Sequence, residues 1–165
     1  MRAGASLRGR LHLVAAAFEA PPHAILHGDP RVANFLFAGD GDGDDGAALV
    51  DFEAVGVGRP ALDLAAFVAA SLATGVRRTL EGELLRTYHA QLGARGVACD
   101  FDALVTDYRK AVALCLTAPV LSAPAWAREL AVSAEPDALM ELVLAVVERI
   151  ATHVADVHGG GGVEC

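Results

Sequence analysis

The spacing of apolar positions divides the chain into a short mixed front and a long helical remainder. Residues 5–19 place Leu7, Leu11, Val14 and Phe18 at intervals of four, three and four, one face of a helix that Pro21 and Pro22 end. Three short apolar runs follow, at 24–26, 35–37 and 47–52, and each reads as a strand. Between the last two lies Gly-Asp-Gly-Asp-Gly-Asp-Asp-Gly at 39–46, whose residues favour turns, so these two strands are expected to form a hairpin. The run is not read as a calcium loop, because counting from Asp42 puts Ala47 where the sharp turn needs glycine.

From Pro60 onward the period is helical. Leu80, Leu84, Leu85, Tyr88 and Leu92 form one stripe, with Arg77 and Arg78 marking the boundary before it and Gly93 and Gly96 its end. Asp100 is placed to cap a helix carrying Phe101, Leu104, Val105, Tyr108, Val112 and Cys115, which should run up to Pro119. Pro136 opens a last helix, with Leu139, Leu142, Val143, Val146, Val147, Ile150 and Val154 at intervals of three and four. The pattern predicts an α+β, mainly α fold: a strand and loop cluster followed by a helical body over residues 1–158, and a glycine-rich tail over 159–165.

Composition narrows the function classes. At 165 residues, 54% hydrophobic and 21% charged, the chain is expected to bury a single core. Thirteen basic against twenty-one acidic side chains give a formal charge of -8, with no basic cluster, so neither nucleic acid nor an anionic membrane is an expected partner. The longest uncharged run, 111–127, is shorter than the ~20 residues of a spanning helix and holds Pro119 and Pro124, so no transmembrane helix is expected. Cys99, Cys115 and Cys165 show no C-x-x-C pair, which argues against a disulfide framework or zinc site and fits a cytoplasmic location. Cys99, Cys115 and Trp126 read as packing residues, and Tyr88 and Tyr108 as the edges of the core.

Residues 25–37, Ile-Leu-His-Gly-Asp-Pro-Arg-Val-Ala-Asn-Phe-Leu-Phe, and 49–53, Leu-Val-Asp-Phe-Glu, carry the chemistry. They set His27, Asp29, Asn34 and Asp51 on loops at strand edges, where polar side chains converge without burial. Mg²⁺ takes a few hard oxygen ligands and keeps several waters, so the amide oxygen of Asn34 and the carboxylate of Asp51 suffice if nucleotide phosphates supply the rest. A carboxylate left free of metal, Asp29, can orient a hydroxyl and accept its proton. The spacing H-x-D-x-x-x-x-N reproduces the protein-kinase catalytic loop, with Asp51 where a second metal-binding Asp should follow.

On His27-Gly28-Asp29, Asn34-Phe35, Val50-Asp51-Phe52-Glu53, and Gly58 followed by Asp63-Leu64-Ala65, the chain resembles the C-terminal lobe of the aminoglycoside phosphotransferase and choline-kinase-like superfamily. Arg31 and the Val-Gly-Val-Gly stretch at 55–58 strengthen the likeness, which runs from about residue 24 to 92. The resemblance implies a protein-kinase-like lobe using ATP and Mg²⁺ on a small-molecule hydroxyl substrate. In it Asp29 would be the base, Asn34 and Asp51 the metal ligands, His27 a packing residue, and Asp63 a brace for the loop. Arg31 is a candidate contact to substrate or phosphate. The 23 residues before Ala24 read as one helix, and the only lysine is Lys110. The N-terminal lobe with its phosphate-holding Lys is therefore expected to be absent, leaving a lobe weakly active or inactive alone. The alternative is a non-catalytic helical module that keeps the loop as scaffold and self-associates, or binds a partner, through the surface such a lobe would have covered.

Overall fold

The computed structural model describes residues 21–37 and 46–159, so the helix expected over 5–19, the turn at 38–45 and the tail beyond Gly159 lie outside the described residues. Four three-residue strands come first: β1 (Ala24–Leu26), β2 (Phe35–Phe37), β3 (Ala47–Leu49) and β4 (Gly56–Gly58). β2 and β3 pair antiparallel in the register Phe35↔Leu49, Leu36↔Ala48 and Phe37↔Ala47, as the hairpin pattern predicts. β4 pairs antiparallel with β1, Ile25 opposite Val57, an element that Val-Gly-Val-Gly hides because half its residues carry no side chain. The third strand stops at Leu49 rather than at Phe52, since Asp51 turns into the left-handed region (φ 66, ψ 63) and a 3₁₀ turn, Phe52–Ala54, follows.

The two pairs are nested. Moving inward from β1–β4 to β2–β3, the chain makes one connection outbound, 27–34, and one returning, 50–55, and the pairing lays them side by side. A second 3₁₀ turn, Val32–Asn34, closes the outbound connection. Phe35 of β2 packs on Phe67, ring centroids 5.4 Å apart, and seats the hairpin on the helical body.

That body holds α1 (Ala61–Ser71), α2 (Thr74–Ala94), α3 (Phe101–Cys115), α4 (Thr117–Val132) and α5 (Pro136–His158). Ala61, Ala65 and Val68 of α1 meet Val105, Tyr108, Ala111 and Val112 of α3 in the core, with Leu85 from α2. Alanines four apart on α1 leave one thin face against which α3 can lie closely. The α3 cap forms as expected, the Ala103 N–H donating to Asp100 Oδ1 at 2.8 Å. α2 ends where its glycines predict: Gly96 adopts φ +76, its N–H reaches Gly93 O, and the Val97 N–H reaches Leu92 O.

Three expectations change. Arg77 and Arg78 do not mark a boundary; α2 begins at Thr74, and Arg77 is buried on its inner face. α3 stops at Cys115, and α4 starts at once, because Pro119 falls in its first turn, where no helical N–H is needed. Together 101–132 is long and apolar enough to cross a membrane by length and composition, although the inner face of its first half is core. Tyr108 lies at the centre of the core, 1% exposed, rather than at its edge.

Its hydroxyl explains why. Tyr108 donates to Glu81 Oε1 at 2.8 Å, and the buried His153 Nε2 meets the same oxygen at 2.5 Å; a carboxylate only accepts, so Nε2 carries the hydrogen. Arg77 pairs with Glu81 Oε2 at 2.8 Å and also with Asp156, which Arg78 clasps with two bonds of 2.8 and 3.0 Å. This polar cluster ties α2, α3 and α5 together inside an otherwise apolar body. Burial pushes the Glu81 carboxyl up, but His153, Tyr108 and Arg77 together outweigh it and hold it below the usual carboxylate range. Burial and the adjacent Glu81 push the Tyr108 phenol up, and hydrogen bonding from Arg78 holds Asp156 down at about 2.

Candidate functional site

The residues singled out by motif all stand on the two adjacent connections or on the helix beneath them. His27 is buried and spans the gap: its Nε2 lies 2.8 Å from Val50 O, and its Nδ1 accepts the Asp29 N–H at 3.3 Å. Those two bonds require the Nε2–H tautomer, so His27 serves as a donor and an acceptor and has no ring nitrogen left for other chemistry. Its ring also packs on Phe52 of the returning connection, with centroids 4.6 Å apart.

Asp63, in the first turn of α1, accepts the His27 N–H at 2.6 Å and the Gly28 N–H at 3.1 Å, one with each oxygen. Gly28 needs φ +86, and a Cβ there would collide with the backbone of Ala54. Glycine thus lets the outbound connection lie directly against the turn that follows Asp51.

Asn34 is buried, and its amide nitrogen donates to Asp29 O at 2.8 Å and to Asp29 Oδ2 at 3.3 Å. That commitment turns the amide oxygen, Oδ1, away from Asp29 and leaves it without a protein donor among the described residues. Asp29 is half-buried; its Oδ2 also meets Arg31 Nε at 3.0 Å, while Oδ1 has no partner among the described residues. Arg31 thus pairs with Asp29 here.

Asp51 follows directly on a backbone pair with Asn34. The Val50 N–H donates to Asn34 O at 3.0 Å, extending the β2–β3 ladder by one step, and the next residue is Asp51, exposed and with no hydrogen bond from its side chain among the described residues. Its left-handed backbone is uncommon for a residue with a Cβ, and aspartate is among those that tolerate it.

As a site for a divalent ion, this donor set is small: one amide oxygen without a donor and one exposed carboxylate. Among the described residues no group of three or more His, Cys, Asp or Glu could hold a metal. The set fits an ion such as Mg²⁺ that takes most of its ligands from water and phosphate, and does not fit an ion needing an all-protein cage. Of the acids in the helical body, Glu81 is buried in the polar cluster, and Asp107 pairs with Arg59 and Lys110.

One contact to the loop was not legible in the sequence. Ser71, at the end of α1, accepts the Val32 N–H at 2.9 Å, and a lone serine closing an apolar helix carries no pattern that announces it.

A comparison with protein-family models matches residues 6–97, more than half of the chain, to the ecdysteroid kinase-like family. The match begins well before Ala24 and so takes in the leading segment that lies outside the motif resemblance. No curated protein and no solved structure matches the chain.

Proposed function

The chain belongs to the ecdysteroid kinase-like family, a kinase-like phosphotransferase family, and on that footing we propose that it carries the catalytic loop of an ATP-dependent phosphotransferase acting on a small-molecule hydroxyl. The observation that carries the reading is the double hold on Val50. Asn34 takes its N–H and His27 its carbonyl, so Asp51 is delivered beside the loop bearing Asp29 and Asn34.

In this reading Asp29 Oδ1 accepts the proton of the attacking hydroxyl, while Arg31 and Asn34 keep Oδ2 in place. Asn34 Oδ1 and the Asp51 carboxylate would hold Mg²⁺, which when bound neutralises charge on the nucleotide phosphates. In this reading Asp63 and His27 hold the two backbone connections that carry these oxygens. In this reading the strands, the loop and the helical body supply the C-terminal lobe of a kinase-like enzyme. The chain's only lysine, Lys110, is turned toward Asp107 at 3.7 Å, so a phosphate-holding ammonium is expected from another lobe or chain.

Calorimetry with ATP in Mg²⁺ and in a chelator tests the binding half: affinity should depend on the metal and be lost in Asp51→Ala. Phosphate release from Mg·ATP, with water as acceptor, tests the chemical half, where Asp29→Asn should lower turnover by about 10²–10⁴-fold without changing the melting temperature. Turnover unchanged in Asp29→Asn refutes the base assignment. Absence of nucleotide binding, with self-association in sedimentation, would instead favour a non-catalytic module using the exposed Ile25 and Val57 pair.

A further inference from the structure

We propose that Ser71 is a positioning residue for the catalytic loop: together with Asp63 it makes α1 a two-point splint along which the segment bearing Asp29 is stretched. The inference rests on the reading of Asp29 and Asn34 given above and adds to it a residue that no motif contains.

The geometry leaves the loop little slack. Asp63 holds the His27 and Gly28 N–H groups at one end of α1, and Ser71 holds the Val32 N–H at the other, at 2.9 Å. Eight residues of helix separate the two anchors, about 12 Å of rise. The backbone from Gly28 to Val32 reaches about 14 Å at most when fully extended. The rise is close to the reach of the segment, and its residues suit an extended course along the helix. Pro30 fixes φ and is buried, and Arg31 is extended at φ -71, ψ 155.

Immediately after the second anchor comes the 3₁₀ turn, closed by the Asn34 N–H on Arg31 O at 2.9 Å. That turn aims the Asn34 side chain back at Asp29. If Val32 is released, the turn loses its fixed start, and the two residues assigned to proton acceptance and metal binding move relative to each other. The far end of the splint is itself held, because Arg149 of α5 donates to Ala70 O at 3.2 Å, one residue before Ser71. A hydroxyl at position 71 therefore hands the rigidity of the α1–α5 packing to the loop.

The test uses the full chain with Ser71→Ala and Ser71→Thr. In amide hydrogen exchange followed by NMR, Ser71→Ala should speed exchange at Val32 by about tenfold, the effect of losing one hydrogen bond. His27 and Gly28 should remain protected by Asp63, and Ser71→Thr should restore Val32. In phosphate release from Mg·ATP, Ser71→Ala should lower kcat by about three- to tenfold with KM for ATP unchanged, and Thr should recover it. Exchange at Val32 that Ser71→Ala leaves unchanged overturns the proposal. So does a normal kcat in a protein whose Val32 exchanges faster, or a loss of kcat and KM together that Thr does not rescue. Asp29→Asn separates the two levels. A drop in Asp29→Asn with none in Ser71→Ala refutes the role of Ser71 alone. Phosphate release that is measurable in wild type and equal in Asp29→Asn refutes the phosphotransfer reading, and the catalytic role of Ser71 falls with it; where the chain alone releases none, exchange at Val32 in Ser71→Ala and Ser71→Thr decides the positioning role.

Discussion

Two residues of the loop cluster are constrained by backbone geometry as much as by chemistry, and each yields a prediction. Gly28 combines a positive φ with contact against the Ala54 backbone, so Gly28→Ala must move one connection away from the other. Overpacking and left-handed strain together should cost about 3 kcal/mol, read as a lower urea midpoint. Asp51 presents the opposite case. Its left-handed backbone costs a Cβ-bearing residue energy that glycine does not incur, so Asp51→Gly should be at least as stable as wild type and about 1 kcal/mol more stable than Asp51→Ala. Both substitutions should abolish metal-dependent ATP binding. A glycine variant that melts well below the alanine variant would show that the backbone there is not strained. The motif residues were readable in the chain because loop chemistry is local: His27, Asp29 and Asn34 fall within eight consecutive positions. The tautomer of His27 was not readable, because it depends on Val50, twenty-three residues away.

At the scale of elements, α1 is the piece on which the site is built. Its inner face is alanine and valine packed on α3, its first turn supplies Asp63, and its last residue supplies Ser71. Asp63→Ala removes the acceptor of two backbone N–H groups and should cost about 2–4 kcal/mol, with faster amide exchange at His27 and Gly28 but not at Val32. Equal acceleration at all three amides would mean that the loop opens as one unit and that its anchors are not independent. Apolar spacing located α2, α3 and α5 because each has one face in the core. It blurred α4, in which Leu121 is 77% exposed and Pro119 and Pro124 read as breaks, and it passed over β4, which is too short and glycine-rich for any period. Arg77 reads in the sequence as the mark of a boundary, the usual reading of charge, but pairing with Glu81 satisfies it where it is buried.

Across the whole molecule, that buried pairing sets how stability responds to pH. Glu81 and Asp156 titrate lower in the folded chain than in the unfolded one, so their contribution is present above the unfolded carboxyl value near ~4 and is lost as pH falls toward 2. Melting temperature followed from pH 7 to pH 2 should therefore fall steeply, and Glu81→Gln should flatten that limb while lowering the neutral plateau. The Tyr108 phenol is raised, so its contribution is intact below ~10 and drains away as pH rises past that value. Tyr108→Phe should make the alkaline limb shallower; an alkaline limb of unchanged slope would assign the loss to other groups. What the chain by itself determined is the motif and the local form: a loop with kinase-like spacing, a hairpin, and helices with one apolar face, all set by residues within a few turns of one another. Only the tertiary structure decided which backbone groups hold that loop and which charges lie inside, because Asp63, Ser71, Val50 and the Glu81 cluster meet partners 23 to 79 residues distant. Spacing along a chain carries no information about such partners until the helices have packed.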